Sequence, residues 1–159
     1  DDDDQIHNLG KAKQNLLDDI LTDIDQEEPI VVFARFRYDL EKIKEVCENQ
    51  DRTYCELSGR ADQLKEWQNG DYDVIGVQIQ SGGVGVDLTR SKYAIYYSMG
   101  YSLGDYQQSL ARIHRPGQER NTTFIHLIVE NTVDEKVEAA LQNKQEVVDY
   151  VLEGVKNNE

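Results

Sequence analysis

The sequence predicts an α/β domain built as a three-layer sandwich, with a mainly parallel sheet and helices on both faces. Short apolar, β-branched runs such as Ile30-Val31-Val32-Phe33-Ala34 suit strands that are buried on both sides. Amphipathic helical stretches separate these runs at a spacing that suits right-handed crossovers. The length of 159 residues fits one ordinary domain, long enough to bury a core and short for two.

The elements follow in order. Leu16, Leu17, Ile20, Leu21 and Ile24 recur at helical spacing and predict a first helix over Leu9 to Ile24. A charged linker, Asp25 to Glu28, leads through Pro29 into the first strand, and a helix with Leu40, Ile43 and Cys47 inward comes next. Then come a strand over Thr53 to Leu57, a short helix carrying Leu64 and Trp67, a Gly70-Asp71 turn and a strand over Asp73 to Gln78. Beyond a glycine-rich loop lie a strand over Tyr93 to Tyr97, a helix over Leu103 to His114, a Pro116-Gly117 break and a strand over Thr122 to Val129. A long last helix opens on a Thr132/Glu135 capping box, carries Val133, Val137, Leu141, Val148 and Leu152 as its apolar stripe, and stops near Gly154. The expected organisation is an acidic tail or linker at 1–8, one domain at 9–153 and a C-terminal tail at 154–159.

Composition narrows the function classes. The chain has 17 basic and 31 acidic residues, net −14, so its summed field repels a polyanion and any nucleic-acid contact must be local. The Asp1 to Asp4 run and the acids between Asp18 and Glu28 read as solvated tail and helix surface. Cys47 and Cys55, with only His7, His114 and His126 beside them, form no metal-ligand pattern, and free thiols in a reducing compartment fit them best. The sequence lacks a signal-peptide apolar stretch and any apolar run of bilayer length, so a soluble, cytoplasmic protein is expected.

Two segments carry chemistry. The first, Gln80-Ser81-Gly82-Gly83-Val84-Gly85-Val86-Asp87-Leu88-Thr89, directly follows a predicted strand. Its glycines permit close approaches that a Cβ would forbid, and converging backbone amides bind phosphate or lie against a nucleic-acid backbone; glycine-rich turns of this kind also serve packing alone. The chain contains no Gly-Lys-Ser or Gly-Lys-Thr and no Asp-Glu-x-His box, so it cannot assemble a complete ATPase site by itself.

The second segment runs from Gln107 to Gln118. At about 100° per residue Leu103, Tyr106, Leu110 and Ile113 share one face of a helix, and Gln108 and Arg112 lie on the opposite, offered face. Arg115 precedes Pro116 and so sits on the helix exit. Forked guanidinium donors suit phosphate oxygens, and an arginine pair bridging acidic neighbours is the plainer alternative. Trp67, Tyr96, Tyr97 and His126 read as core, Cys55 as inert, and His114 as packing beneath the arginines or orienting them.

These residues resemble a known family. Gly82 to Thr89 looks like motif V, and Gln108 to Gln118, with its Arg-x-His-Arg-x-Gly-Gln core, looks like motif VI of Swi/Snf-type translocases within the superfamily-two helicases. Val31 to Phe36 resembles the motif IV strand and Asn131 to Lys136 the closing helix, so the resemblance runs from about Lys11 to Val151. It implies a RecA-like second lobe of the P-loop NTPase type, without its own Walker A, that closes over ATP held by an N-terminal RecA-like lobe. The Mg²⁺ ligands would lie on that missing lobe, and no metal site is expected here. By position Arg115 would be the arginine finger and Arg112 its companion, with Gln108, Asp87, Gly85 and Gly83 toward the nucleotide. Arg35, Ser58, Gly59, Gln80, Ser81 and Gly82 would face DNA.

Ala111 stands where the family often has Gly or Asp, and Gln78-Ile79-Gln80 replaces the usual Ser-Thr-Arg lead, which removes a cation. The compact spacer between motifs IV and V resembles a minimal bacterial or phage-type translocase, with a bacterial cell or phage-infected host as its setting. The isolated lobe is expected to be inactive. A non-catalytic binding or regulatory module with the same fold is the alternative, its acidic surface suiting a basic protein partner. A doubly wound nucleotide- or methyltransferase-like domain using Gly82 to Gly85 leaves the Arg112 to Gln118 cluster unexplained.

Overall fold

The computed structural model describes residues 2–79, 86–98, 103–113 and 122–127. Among them are helices α1 (Asp2–Thr22), α2 (Arg37–Asn49), α3 (Leu64–Asn69) and α4 (Leu103–Ile113), and strands β1 (Ile30–Ala34), β2 (Tyr54–Leu57), β3 (Val74–Gln78), β4 (Tyr93–Tyr96) and β5 (Thr123–His126). The strands form one parallel sheet in the order β2-β3-β1-β4-β5. The predicted alternation therefore holds, with strand ends shifted by a residue, except that the predicted end of the last strand at Val129 lies outside the described residues. The predicted closing helix and its capping box lie outside the described residues.

Period-two alternation along each strand sorts its side chains onto the two faces. From β1, Ile30, Val32 and Ala34 join Val74, Ile95 and Tyr97 against Leu17 and Leu21 of α1 and Leu40, Ile43, Val46 and Cys47 of α2. Val31 and Phe33 join Ile75, Val77, Ala94, Tyr96 and Phe124 against Trp67 of α3 and Tyr106, Leu110 and Ile113 of α4. Each such buried aliphatic or aromatic side chain contributes roughly 1.5–3 kcal/mol. Trp67, Tyr96 and Tyr97 are core residues, as expected, and the Trp67 indole donates to the Asp73 carbonyl at 3.1 Å.

Helix α1 begins at Asp2, earlier than the Leu9 start read from apolar periodicity. Aspartates favour the positive end of the helix dipole, so an acidic run that looks like solvated coil also suits a first helical turn. The other end of α1 is closed by Arg52. This 4% exposed side chain donates to the carbonyls of Leu21 (2.6 Å), Ile24 (2.7 Å), Asp25 (3.2 Å) and Gln26 (3.1 Å). The Leu21 and Asp25 carbonyls also accept the Ile24 and Glu28 N–H groups, so Arg52 is their second donor, and it adds the Ile24 and Gln26 carbonyls to the same cap.

Gly70 caps α3 at φ 95°, the left-handed geometry that favours glycine, in agreement with the predicted turn. Gly76 has a different reason: a Cβ there would overlap the Tyr54 hydroxyl and press on Leu40. No helix among the described residues is long and apolar enough to cross a membrane.

Candidate functional site

In an open parallel sheet, ligands bind beyond the carboxyl ends of the strands where the chain's winding reverses. Here β1 leads through α2 on one face toward β2, and β4 leads through α4 on the other face toward β5, so the reversal lies between β1 and β4. Ser98, just past β4, ties the two ends together. Its hydroxyl accepts the Arg35 backbone N–H at 2.9 Å and donates to the buried Asp39 carboxylate of α2 at 2.8 Å. Arg35 itself is exposed, its guanidinium 4.9 Å over the Phe36 ring.

On the α3/α4 face, toward the amino ends of the strands, the two chemistry-bearing segments meet. The Leu88 N–H donates to the Arg112 carbonyl at 2.9 Å, which fastens the motif V-like segment to the last turn of α4. Asp87, next to it, turns its carboxylate into a local loop: Oδ1 accepts from the Thr89 N–H (2.9 Å) and the Thr89 hydroxyl (2.6 Å). The Asp87 carbonyl accepts from Gln68 of α3 at 2.8 Å. Gln68, Asp87, Thr89 and Arg90 line a shallow cleft of about 430 Å³. Arg90 is anchored beneath it, donating to the Tyr72 carbonyl at 2.8 Å and lying 5.1 Å over the Trp67 ring.

The helical wheel places Arg112 and Gln108 together on an offered face, and here the structure differs. Gln108 is exposed, but Arg112 is 5% exposed. At the last turn of α4 the Arg112 carbonyl accepts the Leu88 N–H, so the side of the helix end carrying Arg112 is covered, while Ala111 beside it and Gln108 a turn earlier are exposed. Burial pushes the Arg112 guanidinium below its ordinary pKa, with the nearby Asp105 carboxylate opposing that shift. A cation held out of water at a fixed position is a preorganised electrostatic donor.

Helix α4 is locked onto β4 and β5 by a polar chain. Tyr96 and Ser109 hydroxyls lie 2.6 Å apart, Ser109 donates to the Tyr106 carbonyl at 2.6 Å, and the Tyr106 hydroxyl is 3.2 Å from His126 Nε2. His126 also packs edge-on against Tyr96 and Tyr106. The structural reading of His126 is thus supported, and the chain of hydroxyls was not legible as a motif.

At the end of β2, Ser58 is half-buried and its hydroxyl donates to Glu56 Oε2 at 2.5 Å, while Gly59 is exposed. Arg60 donates to both Glu56 oxygens (2.8 and 3.1 Å) and also pairs with Glu41. Burial works to raise the Glu56 carboxyl, but the hydrogen bonds from Arg60 and Ser58 outweigh it and hold the group below its ordinary value. Both buried thiols are pushed up to about 12 by burial, so Cys47 and Cys55 are inert at neutral pH. Among the described residues no cluster of His, Cys, Asp and Glu could hold a metal ion.

Of the residues named from sequence, Arg112, Asp87, Gln108, Arg35, Ser58 and Gly59 are placed as above, and the structure brings the Asp87 segment against Arg112. Arg115, Gly85, Gly83, Gln80, Ser81, Gly82 and His114 lie outside the described residues. Sequence reasoning missed Ser98, Asp39, Arg60 and the exposed Tyr38, for which the Arg-aromatic alternation Arg35-Phe36-Arg37-Tyr38 was the available signal.

A family model described as helicase conserved C-terminal domain matches residues 12–117. The Homo sapiens chromatin-remodeling ATPase INO80 is 27% identical over 151 residues, which is 90% of this chain and 10% of that protein. The DNA repair protein rad8 of Schizosaccharomyces pombe is 30% identical over 136 residues, 81% of this chain and 12% of that protein. The chain thus spans about a tenth of the length of these relatives. The crystal structure of the C-terminal part of the Fun30 ATPase domain matches with a TM-score of 0.72 at 23% identity, over 89% of this chain and 48% of that one. The fold is therefore the RecA-like α/β fold. Both relatives are eukaryotic, so the expected likeness to a bacterial or phage type, and the corresponding cellular setting, find no support in them.

Proposed function

From the premise that this chain belongs to the helicase conserved C-terminal domain family, we propose that it is the second motor lobe of an ATP-driven, Swi/Snf-type DNA translocase. The lobe completes, across a domain boundary, a nucleotide site whose other wall is an N-terminal RecA-like lobe. The observation that carries this reading is the Leu88 to Arg112 backbone bond, which joins the Asp87 segment to a buried guanidinium at one end of α4.

The donor set fits half of such a site. Arg112 and Arg115 supply cationic donors for the charge of a transferring phosphoryl group, Gln108, Gly83 and Gly85 border the nucleotide, and Asp87 faces its ribose. ATP with Mg²⁺, when bound, supplies the phosphoryl group and the metal that neutralises it, with the metal's ligands on the other lobe. Arg112 is held out of water, so its charge needs no reorganisation when the phosphoryl oxygens gain theirs. Arg35, Ser58, Gly59, Gln80, Ser81 and Gly82 face the DNA backbone. For Ser58 this requires its hydroxyl to leave Glu56, or its backbone to make the contact. Alone, this lobe turns over no ATP.

The test is Arg115→Ala in a motor that contains both lobes. DNA-stimulated ATP turnover is expected to fall by roughly 10³ to 10⁵ with the fold intact; turnover within about tenfold of wild type removes Arg115 from the role. The net charge of −14 favours the rival reading, a binding module for a basic protein. Tight binding of such a partner, with no gain of ATPase activity on adding a first lobe, would establish that reading instead.

A further inference from the structure

Inside the apolar layer between the sheet and α4, Tyr96 is 1% exposed and Ser109 is fully buried, and their hydroxyl oxygens lie 2.6 Å apart. The Ser109 hydroxyl has a single hydrogen and donates it to the Tyr106 carbonyl at 2.6 Å, so Tyr96 is the donor and Ser109 the acceptor between strand and helix. The Tyr96 ring holds that donor in one place. It stacks on Phe33 of β1 at 4.9 Å, meets His126 of β5 edge-on at 5.0 Å and lies tilted against Tyr106 of α4 at 5.3 Å. The strands on both sides of β4 therefore fix the point from which the hydroxyl reaches α4.

Helix α4 depends on that point. The apolar contacts of Tyr106, Leu110 and Ile113 press it onto the sheet, but such contacts are non-directional and leave sliding and rotation free. A hydrogen bond weakens steeply as its angle departs from linear, so the Tyr96 to Ser109 bond sets how far along the sheet the helix lies and how it is turned. Ser109 sits within α4 beside the exposed Gln108 and three residues before Arg112. At about 1.5 Å rise per residue, Arg112 is roughly 4.5 Å further along the same rigid segment, so a shift at Ser109 is a shift at Arg112. Displacing a reacting or stabilising group by about 1 Å costs up to roughly 10²-fold in rate.

We propose that the Tyr96–Ser109 hydroxyl pair sets the register of α4 on the sheet and thereby holds Arg112 where a transferring phosphoryl group needs it, which makes both of them positioning residues for ATP turnover. The proposal rests on the second-lobe reading above and deepens it, since that reading names the cationic donor and not what places it.

The experiment measures the kinetics of DNA-stimulated ATP hydrolysis in the two-lobe motor, at a temperature where circular dichroism shows each variant fully folded. Tyr96→Phe removes the hydroxyl and keeps the ring on Phe33, and Ser109→Ala removes the acceptor while leaving a strong helix former. Each is expected to lower kcat about tenfold with KM for ATP within about twofold of wild type, the pattern of an interaction lost only in the transition state. The double variant should lose no more than the worse single one, because both remove the same bond. In an Arg112→Ala background Tyr96→Phe should have no further effect, since it acts through Arg112. The positioning role is overturned by an unchanged kcat with only a lower thermal midpoint, which makes the pair a packing bond. It is equally overturned by a rise in KM at constant kcat, or by a tenfold loss that persists in the Arg112→Ala background. In all three cases an Arg112→Ala motor that has lost turnover leaves the second-lobe reading standing. Wild-type turnover in Arg112→Ala also overturns the proposal, and if Arg115→Ala is then as active the second-lobe reading falls with it.

Discussion

Two arginines of this chain are almost equally buried, at 4% and 5% exposure, on opposite faces of the sheet. Arg52, between the end of α1 and the start of β2, donates to four backbone carbonyls and to the Gln50 side chain at 3.2 Å. Arg112, at the end of α4, has a guanidinium whose pKa burial lowers, and its backbone holds the segment of Asp87. Both lie toward the amino ends of the strands, where Arg52 closes the end of α1 as a structural plug. Arg112 stands beside the segment that borders the candidate site. Burial of a cation is therefore no mark of function by itself; the segment each one adjoins separates the two.

The sharpest way to break this comparison is to truncate both. In a two-lobe motor, Arg112→Ala is expected to lower DNA-stimulated ATP turnover by about 10² to 10³, the range for losing one preorganised donor, while urea unfolding changes little. Arg52→Ala should do the reverse. The Leu21 and Asp25 carbonyls keep the Ile24 and Glu28 N–H groups, but those of Ile24 and Gln26 lose the guanidinium, which costs about 1 to 3 kcal/mol in unfolding free energy, and turnover of the folded fraction should stay within about twofold of wild type. If Arg112→Ala unfolds the lobe and spares turnover, the two arginines are alike and the assignment of Arg112 fails. A smaller effect is expected at Ser98, which joins β1, β4 and α2. Ser98→Ala removes the hydroxyl that links the Arg35 N–H to the buried Asp39 carboxylate and should cost about 1 kcal/mol by denaturant titration; an unchanged midpoint would show that this link does not hold the strand ends together.

The layered fold was legible because apolar periodicity is a local property: β1 and β3 read directly from Ile30 to Ala34 and, within one residue, from Asp73 to Gln78. Strand order was not, since nothing in β3 itself says that it pairs with both β1 and β2. The same divide runs through the site. Glycine and arginine spacing marked the segments around Asp87 and Arg112, but the wheel put Arg112 in water because the enclosing contact comes from Leu88, distant in sequence. Ser98, Asp39 and Arg60 carried no motif at all; they matter only because three strand ends and a helix start converge. The start of α1 was misread because Asp residues are equally at home in a solvated tail and in a first helical turn.

The mildest expectation concerns the third strand end, where Glu56 and Arg60 form a pair near the surface, unlike the buried arginines. The Glu56 carboxyl is held below its ordinary value of 4.5 against the opposing effect of its own burial. A depressed folded-state pKa means that the folded protein favours the charged form, so the contribution is fully present above the unfolded value. It is lost as pH falls through the folded one, a window lying below 4.5. Arg60 is itself largely solvent-facing, so screening keeps the contribution under about 1 kcal/mol. Glu56→Gln should therefore cost little at pH 7 and flatten the acid limb of a stability-versus-pH curve. A variant whose acid limb matches the wild type would assign the low-pH loss to other carboxylates of this strongly acidic chain.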